Sequence, residues 1–348
     1  MTDIAERIRE IAADRILVFD GAWGTAIQNY GLDESGYRGE RTFEMDQKGN
    51  NDLLCLTQPD IIEEISAAYL EAGADIISTN TFSGTTISQA DYGNEALVHE
   101  LNVAAATLAR HAADAIATED KPRFVAGSIG PTNKTLSISP DVEDPGFREV
   151  DFDQMKSVYA GQIDGLIEGG VDMLLVETIF DTLNAKAAIM AAQESGERHG
   201  KTLPLILSMT ITDMSGRNLS GHSIEAFWAS VRHATPLAVG LNCSFGADRL
   251  RPHIQAISEI ADTLVIGYPN AGLPNELGEY DEDAEHTRDK ISQWVDQGLI
   301  NIVGGCCGTT PAHIRAIADM VEGKPPRAIP ERMTQTFLAG LEPMTLAA

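Results

Sequence analysis

"INIVGGCCGTTPAHIRAI", residues 300–317, contains the unit from which this chain is built. An apolar run ends on two glycines and a short polar turn follows. Pro311 then opens a segment whose Ile314, Ile317 and Val321 recur at helical spacing. Proline suits the first turn of a helix, where its missing N–H has no intrahelical partner to lose. The stretch therefore reads as strand, turn and helix.

Seven earlier runs have the same character: "RILVFDG" from 15, "ADIISTN" from 74, "RFVAGSIG" from 123, "VDMLLVET" from 171, "LPLILSMT" from 203, "LAVGLNC" from 237 and "TLVIGY" from 263. Segments with helical apolar spacing lie between them, among them Ile61, Ile65, Tyr69 and Met155, Tyr159, Leu166. Strands apolar on both faces that alternate with helices indicate a parallel sheet. Eight such units predict an α/β fold, a (β/α)8 TIM barrel in a single domain over residues 1–325. An open doubly wound sheet is the alternative, because a strand count does not prove closure. Residues 28–58 and 131–150 follow the first and third strands, and in a barrel both would lie over the C-terminal face, where active sites are built. The tail, 326–348, is proline-rich and then weakly patterned, and reads as an exit linker.

With 52 acidic against 25 basic residues, the formal charge of −27 opposes nucleic acid and anionic membrane as partners. No run approaches the roughly 18 apolar residues of a spanning helix. The opening "MTDIAERIREIAADR" is too charged for a secretory signal, so a cytoplasmic protein is expected. Four cysteines in 348 residues are too few for a disulfide scaffold, which turns attention to metal or catalytic chemistry.

A barrel gathers strand ends. Cys243 ends the sixth strand and Cys306 and Cys307 follow the eighth, so thiols 63 residues apart could meet on one rim. Three thiolates could hold zinc with the fourth position open, as catalytic sites require, and the flanking glycines permit the sharp turn. The alternative is that Cys243 is a core residue and the adjacent pair is incidental or a redox couple. Cys55, away from any strand end, reads as packing. An electron-rich thiolate site is a poor generator of hydroxide. It suits a fourth thiol, whose pKa of about 8.5 it would lower, and so alkyl transfer to sulfur.

Asp20 and Glu177 also sit at strand ends and could hold an ammonium group, or merely shape turns. The backbone N–H groups of Gly21 to Gly24 could take a carboxylate. Asn80, Asn242 and Asn270 could line the same pocket or satisfy loop backbone, and Trp23 and Phe82 could wall it or pack. His222, His253 and His313 form no metal signature.

The segments "DGAWGTAIQ", "KGNNDLLCLTQPDIIEEISAAYLEAGADIISTNTF", "GPTNKTLSISPDVEDPGFREV", "VETIFDTLNAKAA", "GLNCSFGAD", "YPNAGLPNELGEYD" and "VGGCCGTTPAHI" resemble, in order, the N-terminal homocysteine-binding module of cobalamin-dependent methionine synthase. The resemblance spans roughly residues 10 to 345. It implies a zinc-bearing barrel in which Cys243, Cys306 and Cys307 are the metal ligands. Asp20 and Glu177 would hold the amino group of homocysteine, and Asn270 would match a position able to fill the fourth metal site without substrate. Three positions depart from that pattern: Trp23 stands where Met is usual, Ser78 where Glu is frequent, and Tyr268 where His often precedes the proline.

The function so implied is a zinc-dependent homocysteine S-methyltransferase, with no catalytic residue beyond the zinc site. The expected donor is methylcobalamin on a partner protein carrying folate- and cobalamin-binding modules. "FLAGLEP" resembles the lead into the folate module, and the expectation is a separately encoded subunit or a piece of a longer enzyme. The runner-up takes methyl directly from betaine or S-methylmethionine. Readings from other classes are a non-catalytic zinc- and homocysteine-binding subunit and a thiol-redox protein.

Overall fold

A computed structural model describes residues 4–332 and 334–346. Eight strands run parallel: β1 (Leu17–Val18), β2 (Ile76–Ser78), β3 (Phe124–Ile129), β4 (Met173–Ile179), β5 (Leu205–Met209), β6 (Ala238–Gly246), β7 (Leu264–Asn270) and β8 (Ile302–Val303). Their order is β1-β8-β7-β6-β5-β4-β3-β2, and a parallel bridge from Phe19 to Ile76 joins the two ends into a ring. The open sheet is thereby excluded. One barrel helix follows each strand: α1 (Pro59–Ala72), α2 (Val98–Ile116), α3 (Phe152–Gly169), α4 (Thr182–His199), α5 (Ile224–Val231), α6 (Ala247–Ile260), α7 (Ala284–Asp296) and α8 (Pro311–Val321).

The period of two along each strand sorts side chains between two cores. Val18, Ile77, Val125, Leu174, Leu207, Val239, Val265 and Val303 pack outward against the helices. Leu17, Phe19, Ile76, Phe124, Met173, Ile206, Leu264 and Ile302 fill the interior. Ile8 and Ala12 join that interior cluster from a helix spanning Ile4–Asp14, which closes the N-terminal end of the barrel. Its charged sequence, read above only as unlike a signal, is amphipathic.

Continuing the inward parity toward the C-terminal ends reaches Ser78, Ser128, Glu177, Ser208, Asn242 and Tyr268. The interior thus changes from apolar to polar within one residue pair, and the polar layer is where chemistry can be placed.

Of the two long insertions, 28–58 brings Gly49 to Asp52 to the cavity at this end, and 131–150 does not border it. The second insertion docks instead on the start of α4, where Ser137 donates to Asp181 and Leu136 N–H to Asn184. Gln47, Asn50, Gln89 and Asn94, all buried, interlock the loops after β1 and β2 through their side-chain amides.

The tail read as a linker carries structure. Thr336–Ala339 and Pro343–Leu346 pair as an antiparallel hairpin, β9 and β10. It docks beside α5: Ser223 N–H donates to Leu341 O at 3.1 Å, Arg217 pairs with Glu342, and the Arg232 guanidinium lies 5.3 Å from the Phe337 ring centre. Two four-residue strands are too short to show a period in sequence. Among the described residues no helix is long and apolar enough to cross a membrane.

Candidate metal and substrate site

Cys243 Sγ lies 3.9 Å from Cys307 Sγ, and Cys306 Sγ lies 4.0 Å from Cys307 Sγ. All three sulfurs fall within 4.8 Å of one another, and none is in a disulfide. Tetrahedral zinc with Zn–S bonds of about 2.3 Å needs sulfur separations of roughly 3.8 Å. The triangle has that size, so the donor set fits a soft divalent metal through three ligands.

Local backbone geometry turns the thiols together. Cys243 and Ser244 adopt φ of 62° and 63°, left-handed values that non-glycine residues rarely hold, and the β6–β7 register shifts between Asn242 and Gly246. This bulge re-aims Cys243 at the rim. On the other side, Cys306 N–H donates to Pro269 O at 2.7 Å and Cys307 O accepts from Ala271 N–H at 2.9 Å, anchoring the pair to β7. Gly308 turns the chain at φ +82°, and a Cβ there would lie 2.3 Å from Tyr280. Hydrogen bonding from Cys243 and Cys306 holds the Cys307 thiol down to about 3, while Cys306, hydrogen-bonded to Cys243 and Cys307, is pushed well up.

Asp20 and Glu177 flank this triangle on a cavity of about 310 Å³ whose lining also includes Gly21, Trp23, Asn80, Phe82 and the three cysteines. Asp20 Oδ2 accepts from Ser78 N–H at 2.7 Å, Ser78 Oγ at 2.9 Å and Trp23 Nε1 at 3.3 Å. Its Oδ1 is buried with no partner. Glu177 accepts from the hydroxyls of Ser128 and Tyr268. Burial pushes both acids up to about 7, against the donors that favour their charged forms. Neither has a basic partner in these contacts. A ligand cation would supply it.

The three asparagines differ. Asn80 borders the cavity, but its Nδ2 donates to Asn51 O at 2.8 Å and so braces the loop after β1. Asn242 does not border it. Its Oδ1 accepts from Thr178 N–H at 3.0 Å and Ser208 Oγ at 2.7 Å, and its Nδ2 donates to Thr178 Oγ1 at 2.8 Å. Asn270 lies outside the lining too, with Oδ1 buried and unpartnered. Gly21 is required by packing, since a Cβ would stand 2.7 Å from the Tyr69 ring. Ala22 N–H in the same turn is already given to Thr309 Oγ1 at 3.2 Å. Cys55 is buried, as packing implies, and no histidine joins the cysteine cluster among the described residues. A larger groove of about 800 Å³, lined by Arg9, Glu197 and Lys201 among others, contains none of these residues.

The profile of the homocysteine S-methyltransferase family matches residues 17–321, which is the whole barrel from β1 to the end of α8. The chain belongs to the homocysteine S-methyltransferase family. It is thus a methyltransferase. Solved structures agree on the fold. The homocysteine methyltransferase MmuM from Escherichia coli in its metallated form is 21% identical, with 89% of this chain and 98% of that one covered and a TM-score of 0.67. The oxidized form is 20% identical, with coverage of 90% and 99% and a TM-score of 0.69.

Within this family frame, the three departures from the synthase pattern share one location. Trp23 and Ser78 bind Asp20, and Tyr268 binds Glu177 while its ring lies 4.9 Å from that of Phe19. Ser128, Thr178, Thr309, Tyr280 and Asp52 were not singled out by sequence reasoning. The period of two along "RFVAGSIG" is the signal that could have found Ser128. Thr178 and Thr309 act through contacts that no local pattern reveals.

Proposed function

We propose that the protein is a zinc-dependent homocysteine S-methyltransferase that makes methionine, with Cys243, Cys306 and Cys307 as metal ligands. The observation that carries this reading is the sulfur triangle, with edges of 3.9 and 4.0 Å, facing a cavity that holds two carboxylates without a basic partner. Zinc bound there would supply the Lewis acidity that keeps the substrate thiol deprotonated at neutral pH. The chain's own residues then have one task, positioning. Asp20 Oδ1 and Glu177 take the ammonium of homocysteine as charge-assisted hydrogen bonds, which directs its thiol at the cysteines. The thiolate lone pair forms the carbon–sulfur bond while the methyl–donor bond breaks toward the donor. No general acid or base in the chain is needed once the proton has left.

For the donor, the stretches "KGNNDLL", "SISPDV" and "LAGLEP" support methylcobalamin carried by a partner protein with folate- and cobalamin-binding modules. Residues 326–348, whose hairpin packs beside α5, would then present the lead toward that partner at this side of the barrel of 1–325. The free thiols suit the reducing cytoplasm, and the charge of −27 suits neither nucleic acid nor an anionic membrane. One observation favours the second reading, a direct betaine or S-methylmethionine donor. Asp52 is a third buried carboxylate on the cavity, held by Ser83 N–H at 2.8 Å, and would welcome a cationic donor.

The test is metal content together with methionine formation from homocysteine and each donor in turn. Turnover from methylcobalamin alone supports the first reading, and turnover from an onium donor supports the second. Stoichiometric zinc without turnover from any donor returns the protein to a binding role.

A further inference from the structure

Trp23 Nε1 donates to Ser78 Oγ at 2.9 Å, and Ser78 Oγ donates to Asp20 Oδ2 at 2.9 Å. The order of this chain is dictated by chemistry. An indole N–H is a donor only, so the serine oxygen must accept from it, and the single hydroxyl proton is left to point at the carboxylate. With Ser78 N–H adding a bond of 2.7 Å, Oδ2 is saturated and Oδ1, buried and unpartnered, is the one oxygen left for a ligand. Asp20 and Ser78 are buried, and Trp23 is half-buried on the cavity wall.

We infer that Trp23 is a positioning residue for substrate selection: through Ser78, and by its own longer bond of 3.3 Å to Oδ2, it fixes Asp20 so that Oδ1 alone meets the ammonium of an α-amino thiol. The inference rests on the reading of Asp20 as an ammonium-binding acid. Trp23 and Ser78, 55 residues apart in sequence, act as one unit through this bond. With the indole N–H removed, the Ser78 hydroxyl is free to rotate and the orientation of Asp20 is no longer enforced.

The decisive experiment measures binding of homocysteine and of 4-mercaptobutanoate, the same thiol without its α-ammonium, by calorimetry. Zinc-loaded wild type, Trp23→Phe, Ser78→Ala and Asp20→Asn are compared, with zinc content confirming that each site is assembled. Wild type should prefer homocysteine and Asp20→Asn should not. Trp23→Phe, which keeps a ring but loses the N–H, should forfeit about tenfold of that preference while its affinity for the analogue is unchanged, the size of one charge-assisted hydrogen bond. Ser78→Ala should do the same with the indole left in place. Equal weakening of both ligands in Trp23→Phe would mean that the ring merely packs on the substrate, and the inference fails while the role of Asp20 stands. Undiminished preference in both Trp23→Phe and Ser78→Ala overturns it likewise. A wild type that does not distinguish the two thiols overturns the reading of Asp20 itself, and the inference with it.

Discussion

Asn242 holds Thr178 at both ends of its side-chain amide, accepting from the Thr178 N–H at 3.0 Å and donating to its Oγ1 at 2.8 Å. Thr178 follows Glu177 and adopts φ +53°, a left-handed value that a β-branched residue holds only under constraint. Asn242 precedes Cys243, whose own φ is +62°. One buried amide therefore braces the backbone beside both the acid and the first cysteine of the cluster.

Asn242→Ala should uncouple them. Thr178 N–H and Ser208 Oγ would lose their buried partner, at a cost of about 1–3 kcal/mol. Urea unfolding should register that loss, and homocysteine binding should weaken as well. A variant of wild-type stability and affinity would show that the amide is dispensable.

Cys243→Ser and Cys306→Ser replace a soft ligand with a hydroxyl that does not ionise at neutral pH. Each should lower metal content from about one zinc per chain to well below it, read by competition with a chromophoric chelator. Cys55→Ser, outside the cluster, should keep its metal. Retention of zinc by either ligand variant would remove the proposed centre.

Gly308→Ala tests the turn rather than the ligands. Its φ of +82° and the 2.3 Å approach of Tyr280 leave no room for a methyl group. Zinc affinity should fall although every sulfur remains. Unchanged affinity would mean that the loop carrying Tyr280 moves aside at little cost.

In the ligand-free protein, burial raises Asp20 from its usual value near 4 to about 7. The folded state then holds a proton that the unfolded chain releases. The associated stability is full below about pH 4 and is lost as pH rises through 7, at up to roughly 1.4 kcal/mol per pH unit. Unfolding of wild type and Asp20→Asn as a function of pH isolates this contribution, since the amide does not titrate. Parallel curves would contradict it. Because an ammonium needs the charged acid, homocysteine affinity should rise over the same window.

Phe337→Ala should loosen the terminal hairpin alone. The loss of its contact with Arg232, about 0.5–1 kcal/mol, should speed proteolysis after the barrel and leave zinc binding intact. Loss of metal in this variant would tie the hairpin to the site.

The sequence by itself determined the repeating strand–helix unit, the three cysteines and the two acids, because each is local. A strand is legible from a handful of residues, and a thiol or carboxylate at its end declares its own chemistry. The inward parity of "VDMLLVET" even places Glu177 inside. Tertiary structure decided which of these groups keep a free atom. Trp23 and Ser78 are 55 residues apart, and Asn242 and Thr178 are 64 apart. Such pairs depend on strand register and on closure between Phe19 and Ile76, which no periodicity encodes. The same reason explains why Asn242 bonds Thr178, why the N-terminal helix packs into the barrel end, and why the tail folds back onto α5. Polar groups announce a capacity to bond, and only the fold settles whether a neighbour or a substrate uses it.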